Sequence, residues 1–197
     1  MKFSKEEEYL RKKDKKLKKI IDKNGHIAFK PNSKNQFDSL VQITISQFIS
    51  TKAAKSIHQK IKDKFKTEYL NERDFENLSL KEIKNLGLSL NKAKTIKELS
   101  NHYLDRTFVD LTKLKTEELN NKLLSVFGIG PWSVNMFEIF CIGKLDIFTS
   151  KDAGLRLAMD NYKMIRNRSN FENYDKYSQR WSPYRTIASI HLWKAID

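Results

Sequence analysis

The sequence predicts an all-α protein, a two-lobed helical bundle with a helix-hairpin-helix motif and a cleft between the lobes. Apolar residues recur at helical spacing in most segments, and in residues 51–65 they place Ala54, Ile57, Ile61 and Phe65 on one face. No alternating strand pattern of useful length occurs. At 197 residues, the chain can bury one core or two small lobes that share a cleft.

The charge balance favours a polyanionic partner. The 38 Lys and Arg residues outnumber the 24 Asp and Glu residues, which gives a net charge of +14. Such an excess attracts nucleic acid regardless of its base sequence. A compositional bias of the source is an alternative explanation, because Lys, Asn and Ile are abundant throughout the chain. Charge therefore supports DNA binding without establishing it.

The single cysteine and the hydropathy pattern favour a cytoplasmic protein. Cys141 cannot form a disulfide within the chain, and it lies in an apolar helical run typical of a core. No run is long and apolar enough to span a bilayer, and the lysine-rich start lacks the apolar core of a secretory signal. We expect a bacterial-type intracellular protein that associates with the nucleoid when it binds DNA.

Residues 4–23 form the first predicted helix. Ser4 and three glutamates precede a strongly basic stretch, an order that complements the helix dipole, and four apolar residues give the helix a modest apolar side. Its basic face either contacts nucleic-acid phosphates or is merely solvated, and the sequence favours neither. Residues 25–34 form a predicted loop.

Apolar spacing and capping patterns predict the remaining helices. Residues 37–48 suit a mostly buried helix, and Ser79 to Glu82 is a capping box that opens a short helix ending at Gly87. The other predicted helices are residues 91–103, residues 116–127, Asp152 to about Tyr162, residues 171–180, and a last helix to Trp193 that Ser182 caps and Pro183 begins. A polar, basic connection is expected at residues 166–170.

A Gly-Ile-Gly-Pro sequence predicts a tight turn between two apolar helices. Gly128 can end the first helix and Gly130 can precede the second, because so short a turn needs backbone angles that residues with a Cβ avoid. Pro131 suits the first helical position, where no N–H is needed. The N–H groups of Gly130, Trp132 and Ser133 would then point outward at a helix N-terminus, where phosphate is the natural ligand. An ordinary helix-helix turn is the alternative.

Asp152 follows Trp132 by 20 positions, within the sequence Thr-Ser-Lys-Asp-Ala-Gly-Leu-Arg. Ser150 can cap the helix that begins here, which would fix the Asp152 carboxylate near the helix N-terminus and beside the mouth of the hairpin. Alternatively, Asp152 is a first-turn acid that merely suits the helix dipole.

These motifs and two others resemble the helix-hairpin-helix DNA glycosylases, specifically the 3-methyladenine DNA glycosylase II branch. In chain order, the matching stretches are residues 37–54 with Gln47-Phe48-Ile49-Ser50, the weaker Gly87-Leu88-Ser89 with Lys92-Ala93-Lys94, Gly128 to Trp132, Ser150 to Arg156, and Trp181 to Trp193. Together they span residues 37–193. The hairpin and the Asp152 sequence count as one motif, so there are three strong motifs; at compatible spacings they are specific, whereas any one of them alone would be weak.

The resemblance implies a monofunctional DNA glycosylase of base-excision repair, which flips an alkylated purine out of the duplex and hydrolyses its N-glycosidic bond. The expected substrate is 3-methyladenine, with 7-methylguanine a second candidate. Breaking this bond builds positive charge on the sugar, which a nearby carboxylate stabilises, and Asp152 is the expected catalytic residue. One carboxylate can suffice, because an alkylated purine already carries positive charge and leaves readily.

The resemblance also implies a base pocket and DNA contacts. Trp132 and Trp193 match the pocket walls on which an electron-poor base stacks, although each could instead be a core residue. Met136 stands where the best-known relatives have a tyrosine, a departure that bears on substrate breadth. By position, Phe48 is the wedge that fills the gap left by the flipped base, whereas without the resemblance it would be assigned to the core. The predicted DNA-binding residues are Gln47, Phe48, Gly128, Gly130, Trp132 and Ser133.

No cofactor is expected to take part in the chemistry. Bifunctional members carry a lysine where this chain has Ser133, so we expect base removal without strand cleavage. The resemblance implies a structural Na⁺ or K⁺ ion in the hairpin, by position at the backbone carbonyls of Leu124, Val126 and Ile129. An iron-sulfur cluster of the kind found in some relatives needs four thiolates, and this chain has one cysteine.

The predicted organisation is a basic amino-terminal helix and loop at residues 1–36, followed by a glycosylase domain at residues 37–197 with the hairpin at about residues 116–142. The short segment before the first matching helix resembles the compact members, which lack an amino-terminal sheet domain. We expect a monomer that binds double-stranded DNA containing damaged bases and no membrane.

The sequence also allows two alternative functions. One is a non-catalytic helix-hairpin-helix protein that binds damaged DNA, and the other is a glycosylase for deaminated bases. The position of Asp152 argues against the first, because a pure binding protein has no need of an anion that faces DNA.

Overall fold

A computed structural model of the chain describes residues 2–166 and 168–196, and within these ranges it is all-α, as the sequence predicts. The described helices are α1 (Lys5–Lys13), α2 (Lys15–Asn24), α3 (Gln36–Ser46), α4 (Thr51–Phe65), α5 (Arg73–Glu76), α6 (Leu80–Lys84), α7 (Leu90–Leu104), α8 (Thr116–Leu124), α9 (Pro131–Phe137), α10 (Ala153–Asn161), α11 (Glu172–Ser178) and α12 (Arg185–Lys194). Short 3₁₀ turns lie at Leu111–Lys113 and Gln179–Trp181, and a π-helical turn follows α9 at Glu138–Ile142. Among the described helices, none has the length and apolar character needed to cross a membrane.

The amino-terminal helix predicted over residues 4–23 is two helices, because the chain breaks at Asp14. Its carboxylate accepts hydrogen bonds from the backbone N–H groups of Lys16 at 2.8 Å and Leu17 at 3.2 Å, which caps α2. The other carboxylate oxygen accepts a bond from the indole N–H of Trp181 at 3.0 Å. Asp14 is buried, so these bonds compensate for the loss of water around its charge.

The chain forms two compact units, which we name the terminal unit and the central unit. The terminal unit combines the residues up to Lys30 with those from Gly143 onward, and the central unit is Pro31–Ile142. A boundary at residue 36 between an amino-terminal segment and a glycosylase domain stays a prediction.

The first two helices complete the core of the terminal unit. Four of their apolar side chains, Leu10, Leu17, Ile20 and Ile21, are fully buried. They share one hydrophobic cluster with α10 and α12, in which Trp181 is also fully buried. The amino-terminal helices therefore have a packing role, whatever their exposed lysines contact.

A buried carboxylate joins the two ends of the terminal unit. The Glu7 side chain accepts bonds from the backbone N–H groups of Ser4 at 2.8 Å and Ile27 at 2.9 Å. It also contacts His26 Nδ1 at 2.8 Å and His191 Nε2 at 3.1 Å. Burial by itself would raise the pKa of Glu7, but these hydrogen bonds outweigh burial and lower the pKa to about 2.

Helix α3 is the centre of the central unit, as its apolar sequence predicts. It packs against α4, α7 and α9, and its fully buried residues include Leu40, Val41 and Ile45. Cys141 is also fully buried here, which confirms the core assignment, and burial raises the pKa of its thiol to about 11. The predicted helix over residues 51–65 has the predicted bounds, and the capping box at Ser79 and Glu82 is confirmed.

Some helix ends differ from the sequence-based prediction. The last helix begins at Arg185, and the hydroxyl of Ser182 donates to Asp146 at 2.9 Å instead of capping that helix. Helix α8 ends at Leu124, so the loop of the hairpin is longer than predicted. The predicted connection at residues 166–170 includes residue 167, which lies outside the described residues.

Candidate functional site

In the central unit, the hairpin joins α8 to α9 through residues 125–130, and Gly128 is required there by both conformation and space. Its φ is +79°, in the left-handed region that favours glycine. A Cβ at this position would lie 2.3 Å from the Thr95 hydroxyl oxygen on α7. The turn is closed by backbone bonds from Val126 N–H to the Leu123 carbonyl at 3.2 Å and from Ile129 N–H to the Val126 carbonyl at 3.1 Å.

Gly130 does not need the conformational freedom of glycine, contrary to the expectation from the sequence. Its φ is −112° and its ψ is 177°, an extended conformation that any residue adopts, and a Cβ would meet no atom within 4 Å. That expectation is therefore wrong for Gly130, although Pro131 does begin α9. The space beside Gly130 leaves its backbone open to close approach from outside the chain.

The loop between α3 and α4 is tied to the hairpin within the central unit. The Gln47 side-chain amide donates to the Gly128 carbonyl at 3.0 Å and to the Ser133 hydroxyl at 2.9 Å. The next residue, Phe48, has a fully exposed side chain and a φ of +59°. Assignment of Phe48 to the core is thus wrong, and the structure leaves its ring free to meet a partner.

The remaining candidate residues of the central unit are less exposed. Ser133 and Met136 are buried, and Trp132 is partly buried. The Ser133 hydroxyl is buried and accepts a bond from Gln47, so the backbone N–H of Ser133 is the stronger candidate for a DNA contact. A base-pocket role for Trp132 and Met136 stays a prediction.

Asp152 lies in the terminal unit, where hydrogen bonds hold its carboxylate. One oxygen accepts from the Leu155 backbone N–H at 2.8 Å and from the Trp193 indole N–H at 3.0 Å. Asp152 is itself the N-cap of α10, so the expectation that Ser150 caps this helix is wrong. The Ser150 hydroxyl instead donates to Asp175 at 2.6 Å. Asp152 is partly exposed and fixed in orientation, as a group that stabilises a developing positive charge must be.

Gly154 is a further residue of this site, and the sequence pattern alone does not indicate its role. A Cβ on Gly154 would lie 3.2 Å from the bonded Asp152 carboxylate oxygen and 3.3 Å from Trp193 Cδ1. Glycine at this position therefore lets the carboxylate and the indole meet. The Ala-Gly sequence after Asp152 was visible in the chain, but the contact with Trp193 depends on tertiary structure.

Positive charge is concentrated in the terminal unit. It holds 21 of the 38 Lys and Arg residues and 11 of the 24 Asp and Glu residues. The central unit is longer but has a smaller excess of positive charge, with 17 Lys and Arg residues against 13 Asp and Glu residues. The polyanion attraction expected from the composition is therefore stronger in the unit that contains Asp152.

Comparisons with known proteins point to one family. The chain matches the family described as HhH-GPD superfamily base excision DNA repair protein over residues 41–183. The Alkylbase DNA glycosidase-like protein mag2 of Schizosaccharomyces pombe is 26% identical over 203 residues, which cover 98% of this chain and 93% of that protein. DNA-3-methyladenine glycosylase 1 of the same yeast is 26% identical over 208 residues, which cover 98% of this chain and 87% of that protein.

A solved structure shows the same fold. It is that of the Schizosaccharomyces pombe 3-methyladenine DNA glycosylase Mag1 in complex with abasic DNA, and it matches with a TM-score of 0.87. The match covers 97% of this chain and 96% of the other at 22% identity. At this identity, the likeness establishes the fold rather than the substrate.

Proposed function

The chain belongs to the HhH-GPD superfamily of base excision DNA repair proteins, and on that premise we propose that it is a monofunctional DNA glycosylase for alkylated purines. Its proposed substrates are 3-methyladenine and, second, 7-methylguanine. The observation that carries the proposal is the Asp152 carboxylate, which Leu155 and Trp193 hold at the N-terminus of α10. The names of the two yeast relatives support the choice of substrate class.

Asp152 stabilises the charge that builds on the sugar in the proposed reaction. The bond between C1′ and the purine nitrogen breaks, and its electron pair leaves with the base, which neutralises the positive charge of the alkylated ring. The deoxyribose then carries oxocarbenium character, which the carboxylate stabilises. A water molecule attacks C1′, and its proton passes to the carboxylate or to solvent. The products are the free base and an abasic site.

The target nucleotide must leave the base stack before this step. In our proposal, the Phe48 ring enters the minor groove and fills the gap that the flipped base leaves in the stack. The complete exposure of this ring permits such a contact. The backbone N–H groups of Gly130, Trp132 and Ser133 bind phosphate, which the open space beside Gly130 supports. Trp132 and Trp193 stack on the electron-poor base, with Met136 as a further part of the pocket.

Serine in place of lysine at position 133 supports base removal without strand cleavage. A lyase needs an amine that attacks the sugar, and Ser133 at the matching position is buried and bonded to Gln47.

We also propose a Na⁺ or K⁺ ion at the carbonyls of Leu124, Val126 and Ile129. Carbonyl oxygens are hard donors, which suit such an ion. The Val126 carbonyl oxygen accepts one backbone hydrogen bond and retains a second lone pair that can bind the ion.

Release of free base from methylated duplex DNA tests the proposed function. The wild-type protein is incubated with duplex, and the released bases are identified by chromatography. We expect 3-methyladenine to appear faster than 7-methylguanine, with intact strands unless the abasic sites are cleaved by alkali. Release only from duplex containing deaminated bases would contradict the substrate, and binding of damaged duplex without release of any base would contradict the activity.

A further inference from the structure

The backbone at Phe48 is strained, and the Phe48 side chain does not hold it. A φ of +59° costs a residue with a Cβ about 1–2 kcal/mol. The ring is fully exposed, so packing does not compensate for this cost. Ile49 N–H makes one long backbone bond across the turn, to the Ser46 carbonyl at 3.4 Å. A strained conformation of this kind persists where surrounding groups fix it.

Lys92 of α7 supplies the first of those groups. Its ammonium donates to the carbonyls of Ile45 at 2.7 Å and Gln47 at 2.8 Å. These carbonyls lie at the carboxyl end of α3, where backbone acceptors lack helical partners and where positive charge is favourable. Burial lowers the pKa of Lys92, which indicates that the side chain is partly withdrawn from solvent.

Gln47 supplies the second link, from the loop to the hairpin. Its amide nitrogen donates to the Gly128 carbonyl and to the Ser133 hydroxyl. Helix α7 also reaches the hairpin independently, because the Glu98 carboxylate accepts a bond from the Phe127 backbone N–H at 3.2 Å. The loop, the hairpin and α7 are thus connected by hydrogen bonds within one unit.

We propose that Lys92 and Gln47 are positioning residues, which together form a brace that holds Phe48 at a fixed place relative to the hairpin. The inference rests on the proposed function, because Phe48 is the wedge in that proposal. The brace orders the strained loop before DNA arrives, so binding does not have to supply this ordering. Insertion of the wedge and binding of phosphate by the hairpin then occur together.

Lys97 offers a matched control for Lys92. It lies on the same helix, and its ammonium also donates to two backbone carbonyls, those of Phe75 and Glu76 at 3.0 and 2.6 Å. Lys92→Met and Lys97→Met remove the same charge and keep a similar aliphatic stem. Gln47→Met is a second brace variant, in case loss of Lys92 prevents folding.

The first experiment uses the free protein and measures backbone order parameters for Gln47, Phe48 and Ile49 by ¹⁵N relaxation. We expect values of about 0.85 in the wild type and in Lys97→Met, and values below about 0.6 in Lys92→Met or Gln47→Met. Unchanged order in both brace variants would overturn the inference, whatever the protein does to DNA.

The second experiment measures affinity for a duplex containing an abasic-site analogue, in a double-mutant cycle with Phe48→Ala. We expect Lys92→Met to weaken binding about tenfold in the wild-type background and less than about twofold beside Phe48→Ala, because it acts through the wedge. Lys97→Met should have no effect in either background. An equal loss in both backgrounds would mean that Lys92 contacts phosphate directly, which overturns the inference.

The two experiments separate the brace from the function on which it rests. If the wild type releases bases but the loop does not respond to either brace variant, the brace is wrong and the glycosylase proposal survives. If the loop responds but the wild type neither captures damaged duplex nor releases a base, the glycosylase proposal is wrong, and the role of the brace in capture is wrong with it.

Discussion

Two aspartates of the terminal unit, Asp14 and Asp152, are held in closely similar ways. Each is the N-cap of a helix, and each accepts a hydrogen bond from an indole N–H, that of Trp181 or Trp193, at 3.0 Å. Asp14 is 5% exposed, whereas Asp152 is partly exposed. The same local arrangement stabilises the fold at Asp14 and, in our proposal, leaves a fixed carboxylate within reach of a substrate at Asp152.

At Phe48, the backbone conformation and the exposed ring predict opposite effects of mutation on stability and on DNA capture. Phe48→Gly should be more stable than Phe48→Ala by about 1 kcal/mol, because glycine adopts the positive φ without strain. Both variants should lose capture of damaged duplex, because neither has a wedge. Urea unfolding and duplex affinity measure the two effects. These expectations would be contradicted if Phe48→Gly were less stable than Phe48→Ala, or if both variants bound damaged duplex as tightly as the wild type.

Gly154→Ala tests whether Asp152 must keep its present position. A Cβ would press on the Asp152 carboxylate and on Trp193 by a few tenths of an ångström. Because catalysis depends on such distances, we expect base release to fall about tenfold while stability changes little. Single-turnover kinetics and thermal unfolding measure these effects, with Leu157→Ala on the exposed side of α10 as the control. Unchanged release by Gly154→Ala would show that the contact is unimportant.

At the scale of elements, α2 is a part of the core and not a basic appendage. Leu17 is fully buried against the carboxy-terminal helices, so Leu17→Ala should cost about 2–5 kcal/mol of unfolding free energy. Lys18→Ala, at the exposed neighbouring position, should change it by less than about 0.5 kcal/mol. Chemical denaturation measures both. A loss below about 1 kcal/mol for Leu17→Ala would contradict the packing of α2.

Helix α1 should make the stability of the protein sensitive to acid through Glu7. Its pKa is about 2 in the folded protein against an ordinary value of 4.5. A lowered pKa of an acid contributes stability that is fully present above about pH 4.5 and is lost as the pH falls toward 2. Glu7→Gln should therefore cost about 2 kcal/mol at pH 7, and the difference from the wild type should shrink over that window.

Unfolding of wild type and Glu7→Gln from pH 7 to pH 2 checks this expectation, with Glu6→Gln as the control because Glu6 lies next to Glu7 but is partly exposed. His191, whose pKa burial lowers despite its contact with Glu7, adds a loss of stability that begins below about pH 6.5. This loss is larger in Glu7→Gln, because the charge of Glu7 raises the pKa of His191. A constant difference between wild type and Glu7→Gln across the range would contradict the assigned role of Glu7.

At the scale of the whole molecule, local patterns predicted most of the helices but not the contacts that complete the site. Helical spacing and caps identified α4, α6 and α7, because those signals are local in sequence. The break at Asp14 depends on Trp181, which lies 167 residues further along the chain. The position of Asp152 depends on Trp193 and Gly154, and Lys92 reaches a loop that lies 45 to 47 residues earlier. Periodicity and spacing rules describe neighbours along the chain, so they do not predict contacts between residues so far apart in sequence.

The central claim is that the Asp152 carboxylate performs the chemistry, and Asp152→Asn tests it most directly. Asparagine is as good an N-cap as aspartate, and its amide oxygen can still accept from Leu155 and Trp193, so the variant removes charge and little else. Asp14→Asn is the matched control, since it makes the same change at the other N-cap that an indole contacts.

The measurement is single-turnover release of 3-methyladenine from methylated duplex, together with affinity for an abasic-site duplex. We predict that Asp152→Asn slows release at least about 100-fold while the duplex affinity stays within about threefold of the wild type. Asp14→Asn should release the base at the wild-type rate. Release by Asp152→Asn at the wild-type rate would contradict the catalytic role of Asp152, and with it the mechanism proposed for this protein.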